Sequence, residues 1–168
     1  MAFIYVYSPY SGANWGQANY CYISGSHPAV FLANPIDIGG GAAGAAVRFY
    51  SSVGSIRTTR NTGLCSVNPG SPWNDGVMVE LYRNANASCF IGRVYYGHLS
   101  NRIANGTYNS PNTLQIGTLA SDTCSCGCYS GVHTHMTGTG TPNSFTCGQQ
   151  LYGGSTWIYR WSNVCIPQ

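Results

Sequence analysis

Apolar and polar residues alternate over short stretches of this chain instead of recurring every third or fourth position. Residues two apart on an extended strand share a face, so alternation of this kind predicts half-buried strands. On that pattern strands are expected at Phe3–Tyr7, Asn19–Ile23, Ala45–Tyr50, Val77–Arg83, Cys89–Leu99, Leu114–Leu119, Val132–Met136 and Trp157–Trp161. Clusters of Gly, Pro, Asn and Ser punctuate them, among them Asn68-Pro-Gly-Ser-Pro72 and Asn109-Ser-Pro-Asn112. No window longer than about ten residues sustains a 3.6-residue period with helix caps. The expected class is mainly β, a compact antiparallel domain with little helix.

Composition narrows this picture. A chain of 168 residues, 43% of them hydrophobic, can bury one core, and no shift in composition suggests a second, so residues 1–168 are expected to form a single domain. Charged residues are only 7%, against roughly 25% in an average soluble protein. The abundance of aromatic and β-branched residues nevertheless excludes disorder. All seven positive charges are Arg, and the acids are Asp37, Asp75, Glu80 and Asp122. The net charge of +3 suits association with an anionic polymer such as a cell wall, but no clustered basic stripe is present, which argues against nucleic acid.

Eight cysteines, at 21, 65, 89, 124, 126, 128, 147 and 165, spread evenly in number through a small, loop-rich chain. They read as disulfide-stapled loops formed in an oxidising compartment, and hence as a secreted protein, with the connectivity left open. Cys124, Cys126 and Cys128 have one residue between them, whereas structural zinc sites place two or more between paired ligands. No apolar run reaches the roughly 20 residues of a membrane span. The stretch Gly39 to Gly44 lacks the Lys-Ser/Thr pair and following helix of a phosphate cradle, so it is expected to be a turn between strands.

The candidate chemistry lies in the four histidines and one aspartate. His133 and His135 sit in Gly131-Val-His-Thr-His-Met136, so on a strand both imidazoles project from one face while Thr134 and Met136 point away. That pairing suits a metal ligand beside a proton-handling neighbour. His98 closes the run Val94-Tyr-Tyr-Gly-His-Leu-Ser100, and taken alone it carries little. His27 lies in Gly25-Ser-His-Pro28, and Asp37 follows ten positions later between Ile36 and Ile38. A carboxylate in so apolar a strand is costly unless it is paired or bound to a metal.

In order and spacing these segments resemble the lysostaphin, LytM and beta-lytic class of zinc endopeptidases. That class carries a His with an Asp a short loop later, then Tyr-x-His-Leu-Ser, then Gly-x-His-x-His. The resemblance covers residues 20–140 and implies a β-sheet domain with a substrate groove. It implies a Zn²⁺ ion held by His27, Asp37 and His135, with His133 as general base and His98 as oxyanion stabiliser or second proton handler. Three protein ligands with water in the fourth position make a catalytic zinc site. A His base also fits the composition, since the only Glu, Glu80, is next to no histidine in sequence.

Thr134 and Met136 stand where the family usually has Leu and Phe, and the Cys124–Cys128 segment falls where it has a Gly-rich wall of the groove. The implied substrate is peptidoglycan, cut at Gly-rich cross-bridges or beside D-Ala. Tyr95, Tyr96, Tyr152 and Tyr159 are candidates to line the groove. Two other readings compete: a disulfide-rich binding or structural module on the same fold without turnover, and a carbohydrate-binding domain. In the latter, Trp15, Trp73, Trp157 and Trp161 would stack on sugars.

Overall fold

The computed structural model describes residues 3–15, 34–52, 55–60, 76–83, 88–109, 114–121, 132–146 and 148–162. These form strands β1 (Phe3–Tyr7), β2 (Ala13–Trp15), β3 (Ile36–Gly39), β4 (Ala46–Phe49), β5 (Ser55–Arg60), β6 (Val77–Tyr82) and β7 (Phe90–Gly97). β8 (Leu99–Ser100), β9 (Gly106–Asn109), β10 (Leu114–Leu119), β11 (Thr134–Gly138), β12 (Thr141–Pro142), β13 (Gln150–Leu151) and β14 (Trp157–Ser162) follow, with no helix among the described residues. Every strand pair is antiparallel. The protein is therefore mainly β, as the alternating pattern predicts.

The strands expected at Phe3–Tyr7 and Leu114–Leu119 form with those bounds, and the one expected at Asn19–Ile23 lies outside the described residues. Two differences bear on the site. The stretch Cys89–Leu99 is not one strand: β7 stops at Gly97, His98 takes a left-handed φ of 61°, and β8 begins at Leu99 in another sheet. His133 precedes β11 instead of lying within it. The Gly39–Gly44 stretch connects β3 to β4, and Gly40 and Gly44 both adopt φ of 83°, a conformation that glycine alone takes without strain.

An eight-stranded sheet in the order β13-β2-β3-β11-β7-β6-β5-β9 carries two faces of different chemistry. Directly opposed residues in adjacent strands share a face. One row runs Ile36–Met136–Tyr96–Val77, and Ile38, Val94, Val79 and Ile56 join it on the buried side. The alternate row runs Asp37–His135–Gly97. Two three-stranded sheets, β1-β14-β12 and β4-β10-β8, supply Ile4, Val6, Ile158, Tyr159, Val47, Phe49, Ile116 and Leu119 to the same hydrophobic cluster. Burying each such aliphatic side chain contributes roughly 1.5–3 kcal/mol. Close approach is possible because Gly92 and Gly138 lack side chains: a Cβ on Gly138 would lie 2.9 to 3.0 Å from the Tyr159 ring, and one on Gly92 would run into Trp161. Cys89, at the entry to β7, is buried and disulfide-bonded; the other seven cysteines lie outside the described residues.

Candidate active site

Three neighbouring strands assemble the site. β3 pairs with β11 so that Asp37 lies opposite His135, and β11 pairs with β7 so that His135 lies opposite Gly97. The absent side chain at Gly97 leaves the row open beside His135, whose Cβ and carbonyl would stand 3.4 and 3.5 Å from a Cβ there. His133, two residues ahead of His135, reaches the same carboxylate. His135 Nδ1 stands 3.0 Å and His133 Nε2 3.6 Å from Asp37 Oδ1. A single carboxylate oxygen thus lies beside both imidazoles and within hydrogen-bond distance of one, that of His135.

His98 joins them through its backbone. In an unbroken strand it would follow Tyr96 onto the core face. The left-handed turn at His98 instead breaks the alternation as the chain passes from β7 to β8. Its ring meets that of His133 edge-on, with centroids 4.8 Å apart, and lies 6.3 Å from that of His135. A non-glycine residue in this region costs roughly 1–2 kcal/mol, and such strain concentrates at functional sites. The turn is held by the Ala120 amide, which donates to the His98 carbonyl at 3.1 Å.

The cluster is enclosed. His98, His133 and His135 are 3%, 2% and 1% exposed, and the Asp37 side chain is 11% exposed. A carboxylate so far from bulk water is costly unless cations or hydrogen-bond donors surround it. Among the described residues two imidazoles, those of His133 and His135, lie against it. Thr134 and Met136 point to the other side, as their spacing predicts, and the Thr134 hydroxyl donates to the Gly97 carbonyl at 2.9 Å, tying β11 to β7 behind the histidines.

Two phenols hold the strands bearing this cluster: Tyr10, which sequence reasoning missed, and Tyr159, which it assigned to the groove. The Tyr10 hydroxyl donates to the carbonyls of Ile38 and Gly39 in β3, at 2.5 and 3.1 Å. Burial, reinforced by the negative charge of Asp37, pushes its pKa well above the usual phenol value. The Tyr159 hydroxyl donates to the Met136 carbonyl of β11 at 3.2 Å and to the Asn34 carbonyl ahead of β3 at 2.7 Å, and burial raises its pKa as well. With thirteen tyrosines in the chain, nothing in the spacing singles these two out.

The assignment of groove-lining tyrosines needs correction. Tyr96 and Tyr159 are both 0% exposed and belong to the hydrophobic core, whereas Tyr95, 1% exposed, lies two residues from Gly97 on the face of His135, and Tyr152 is 60% exposed. Buried apolar neighbours compete for aromatic rings on both sides of a sheet, and the tyrosine content alone does not reveal which win. His27, assigned as the third metal ligand, lies outside the described residues. Among the described residues no set of three or more His, Cys, Asp or Glu side chains is arranged to hold a metal ion.

The donor chemistry nonetheless fits zinc in part. Two ligands of a tetrahedral zinc, each about 2.0–2.2 Å from the ion, lie about 3.3–3.5 Å from one another. Asp37 Oδ1 stands 3.0 Å from His135 Nδ1, somewhat inside that value. An oxygen and an imidazole nitrogen are also the ligand types that zinc takes.

No protein-family model matches the chain, and no curated protein matches it. Among solved structures, one described as a novel M23 metalloprotease, pseudoalterin, from the deep sea, is similar over 92% of this chain and 74% of its own. The identity is 15% and the TM-score 0.46, too loose a likeness to bear on chemistry.

Proposed function

We propose that this chain is a secreted zinc-dependent endopeptidase that hydrolyses peptide bonds in bacterial peptidoglycan, at Gly-rich or D-Ala-adjacent cross-links. The observation that supports it most is the convergence of Asp37, His133, His135 and His98, drawn from three distant segments, into one buried cluster. Asp37 and His135, with His27, would hold the metal. Its contribution there would be to bring the pKa of a water to near 7 and to polarise the scissile carbonyl.

The remaining chemistry falls to the chain's own side chains. His133, beside His135 and against the same carboxylate oxygen, is placed to take a proton from water and return it to the leaving amine. His98 packs edge-on against His133 and is placed to donate to the developing oxyanion. Asp37 Oδ1 lies against both imidazoles, 3.0 Å from His135 Nδ1 and 3.6 Å from His133 Nε2. Enclosure of the cluster strengthens each of these interactions over its value in water.

Zinc content and peptidoglycan lysis, measured on the purified protein and on His135→Ala and His133→Ala, test the proposal. The expectation is one zinc per chain, lost with His135 together with lysis, whereas His133→Ala retains zinc and loses turnover. A zinc-free protein that lyses walls would overturn the mechanism. A zinc-loaded protein without lysis would favour the binding module.

A further inference from the structure

The outward face of the β1-β14-β12 sheet carries a second concentration of chemistry, remote in function from the histidines. Along β1, Ile4 and Val6 are buried, so Phe3, Tyr5 and Tyr7 project outward. Their ring centroids follow at 6.1 and 6.0 Å, and Trp157 lies 5.8 Å from Tyr5. Arg160 stands opposite Tyr5 in β1 and opposite Thr141 in β12, which makes a row of phenol, guanidinium and hydroxyl across three strands.

The Arg160 guanidinium carbon lies 4.7 Å from the centre of the Phe3 ring and 5.1 Å from that of Trp157. Such cation–aromatic contacts fix a cation in place while leaving its N–H groups able to bond elsewhere. Among the described residues Arg160 meets no carboxylate: Asp37 is engaged by the histidines and Glu80 by Arg93 and Tyr82. Sidedness is sharp, because Trp161 and Tyr159 of the same strand turn inward to the core while Trp157 and Arg160 remain partly open.

From this we infer that the Phe3–Tyr5–Tyr7–Trp157–Arg160 face binds an acidic polysaccharide. Sugar rings are apolar on their C–H faces and polar at their edges, and this face carries aromatic rings beside the hydroxyls of Tyr5, Tyr7 and Thr141. Arg160, held without a carboxylate among the described residues, supplies charge complementarity to a uronate-type carboxylate, which its planar fork can engage through two parallel hydrogen bonds. The excess of seven arginines over four acids favours the same sign of polymer at longer range. Stacking on the rings supplies the contact area, and Arg160 selects acidic over neutral chains.

Affinity electrophoresis of the full chain through gels containing polygalacturonate, dextran or no polymer provides the test. Retardation by polygalacturonate and not by dextran is expected, weakening as salt is raised. Arg160→Glu and Trp157→Ala should each weaken binding at least about tenfold. Arg57→Glu, the same charge change on β5 of the larger sheet, should leave it within about twofold. Arg160→Gln and Tyr5→Ala, checked by near-UV circular dichroism, serve where either first variant misfolds. Equal losses from Arg160→Glu and Arg57→Glu, equal retention by dextran, or tighter binding of a single-stranded oligonucleotide would each overturn the inference. His135→Ala should leave this binding unchanged, so the peptidase proposal and this one fail separately.

Discussion

Raising the pH above 10 should unfold this protein through three buried phenols. Tyr10, Tyr96 and Tyr159 are 6%, 0% and 0% exposed, and burial holds the pKa of each well above the ordinary phenol value of 10.0. Below pH 10 these phenols are protonated in both folded and unfolded chains, and their full contribution to stability is present. Above it the unfolded chain sheds protons that the folded one keeps, so each phenol lowers stability by about 1.4 kcal/mol per pH unit until its folded pKa is reached. At pH 11.5 that is about 2 kcal/mol per phenol and about 6 kcal/mol for three, against a typical total of 5–15 kcal/mol.

The chain contains no Lys, so no ammonium titration overlaps this window. Tyr82, whose pKa is raised chiefly by its hydrogen bond to Glu80, is open to solvent and contributes little to the slope. Urea unfolding followed by circular dichroism at pH 9.5 to 11.5, with tyrosinate absorbance recorded in parallel, measures the effect. Tyr10→Phe, Tyr96→Phe and Tyr159→Phe should each lower the slope by about 1.4 kcal/mol per pH unit. A stability that stays flat across that range, or full tyrosinate absorbance while the fold persists, would refute the reasoning. Activity should fail with the fold, because the Tyr10 and Tyr159 hydroxyls hold the backbone of the strands carrying Asp37 and His135.

Two further outcomes follow from backbone geometry. Gly138→Ala would place a Cβ within 2.9 to 3.0 Å of three atoms of the Tyr159 ring; overpacking of this kind costs about 1–3 kcal/mol, which thermal unfolding should register as a fall of roughly 2–12 °C. At His98, with φ of 61°, Asn tolerates the left-handed turn and Val does not. His98→Asn should therefore retain near-native stability and lose turnover in a lysis assay, whereas His98→Val should lose a further 1 kcal/mol or so of stability by denaturant titration; equal stabilities would show that the turn is not enforced.

The fold was legible where burial is one-sided. β1, β6 and β14 announce themselves because their inward residues are large and apolar and their outward ones, Met78 of β6 apart, are polar or aromatic. β5, Ser55–Arg60, was not legible: its inward positions include Thr58, whose hydroxyl donates to the Ala104 carbonyl at 3.0 Å. A residue satisfied in this way is buried without being apolar, and a pattern of hydropathy passes over it. Strands of two or three residues, such as β8, β12 and β13, are too short to show any period.

The candidate site was legible in proportion to how local each relation is. His133 and His135 share a face because they are two residues apart, and the structure gives them a common neighbour in Asp37 Oδ1. Asp37 enters through register, since only the pairing of β3 with β11 sets it opposite His135, and a slip of one residue would turn it into the core beside Met136. His98 enters through a backbone conformation that no hydropathy pattern encodes. Because alternation alone would send it to the core face, its place beside His133 depends on a left-handed turn that a strand former disfavours, at the point where the chain leaves one sheet for another. A break in a strand at a histidine, with a shift of sheet immediately after it, is therefore the feature by which this site distinguishes itself from a buried histidine that merely packs.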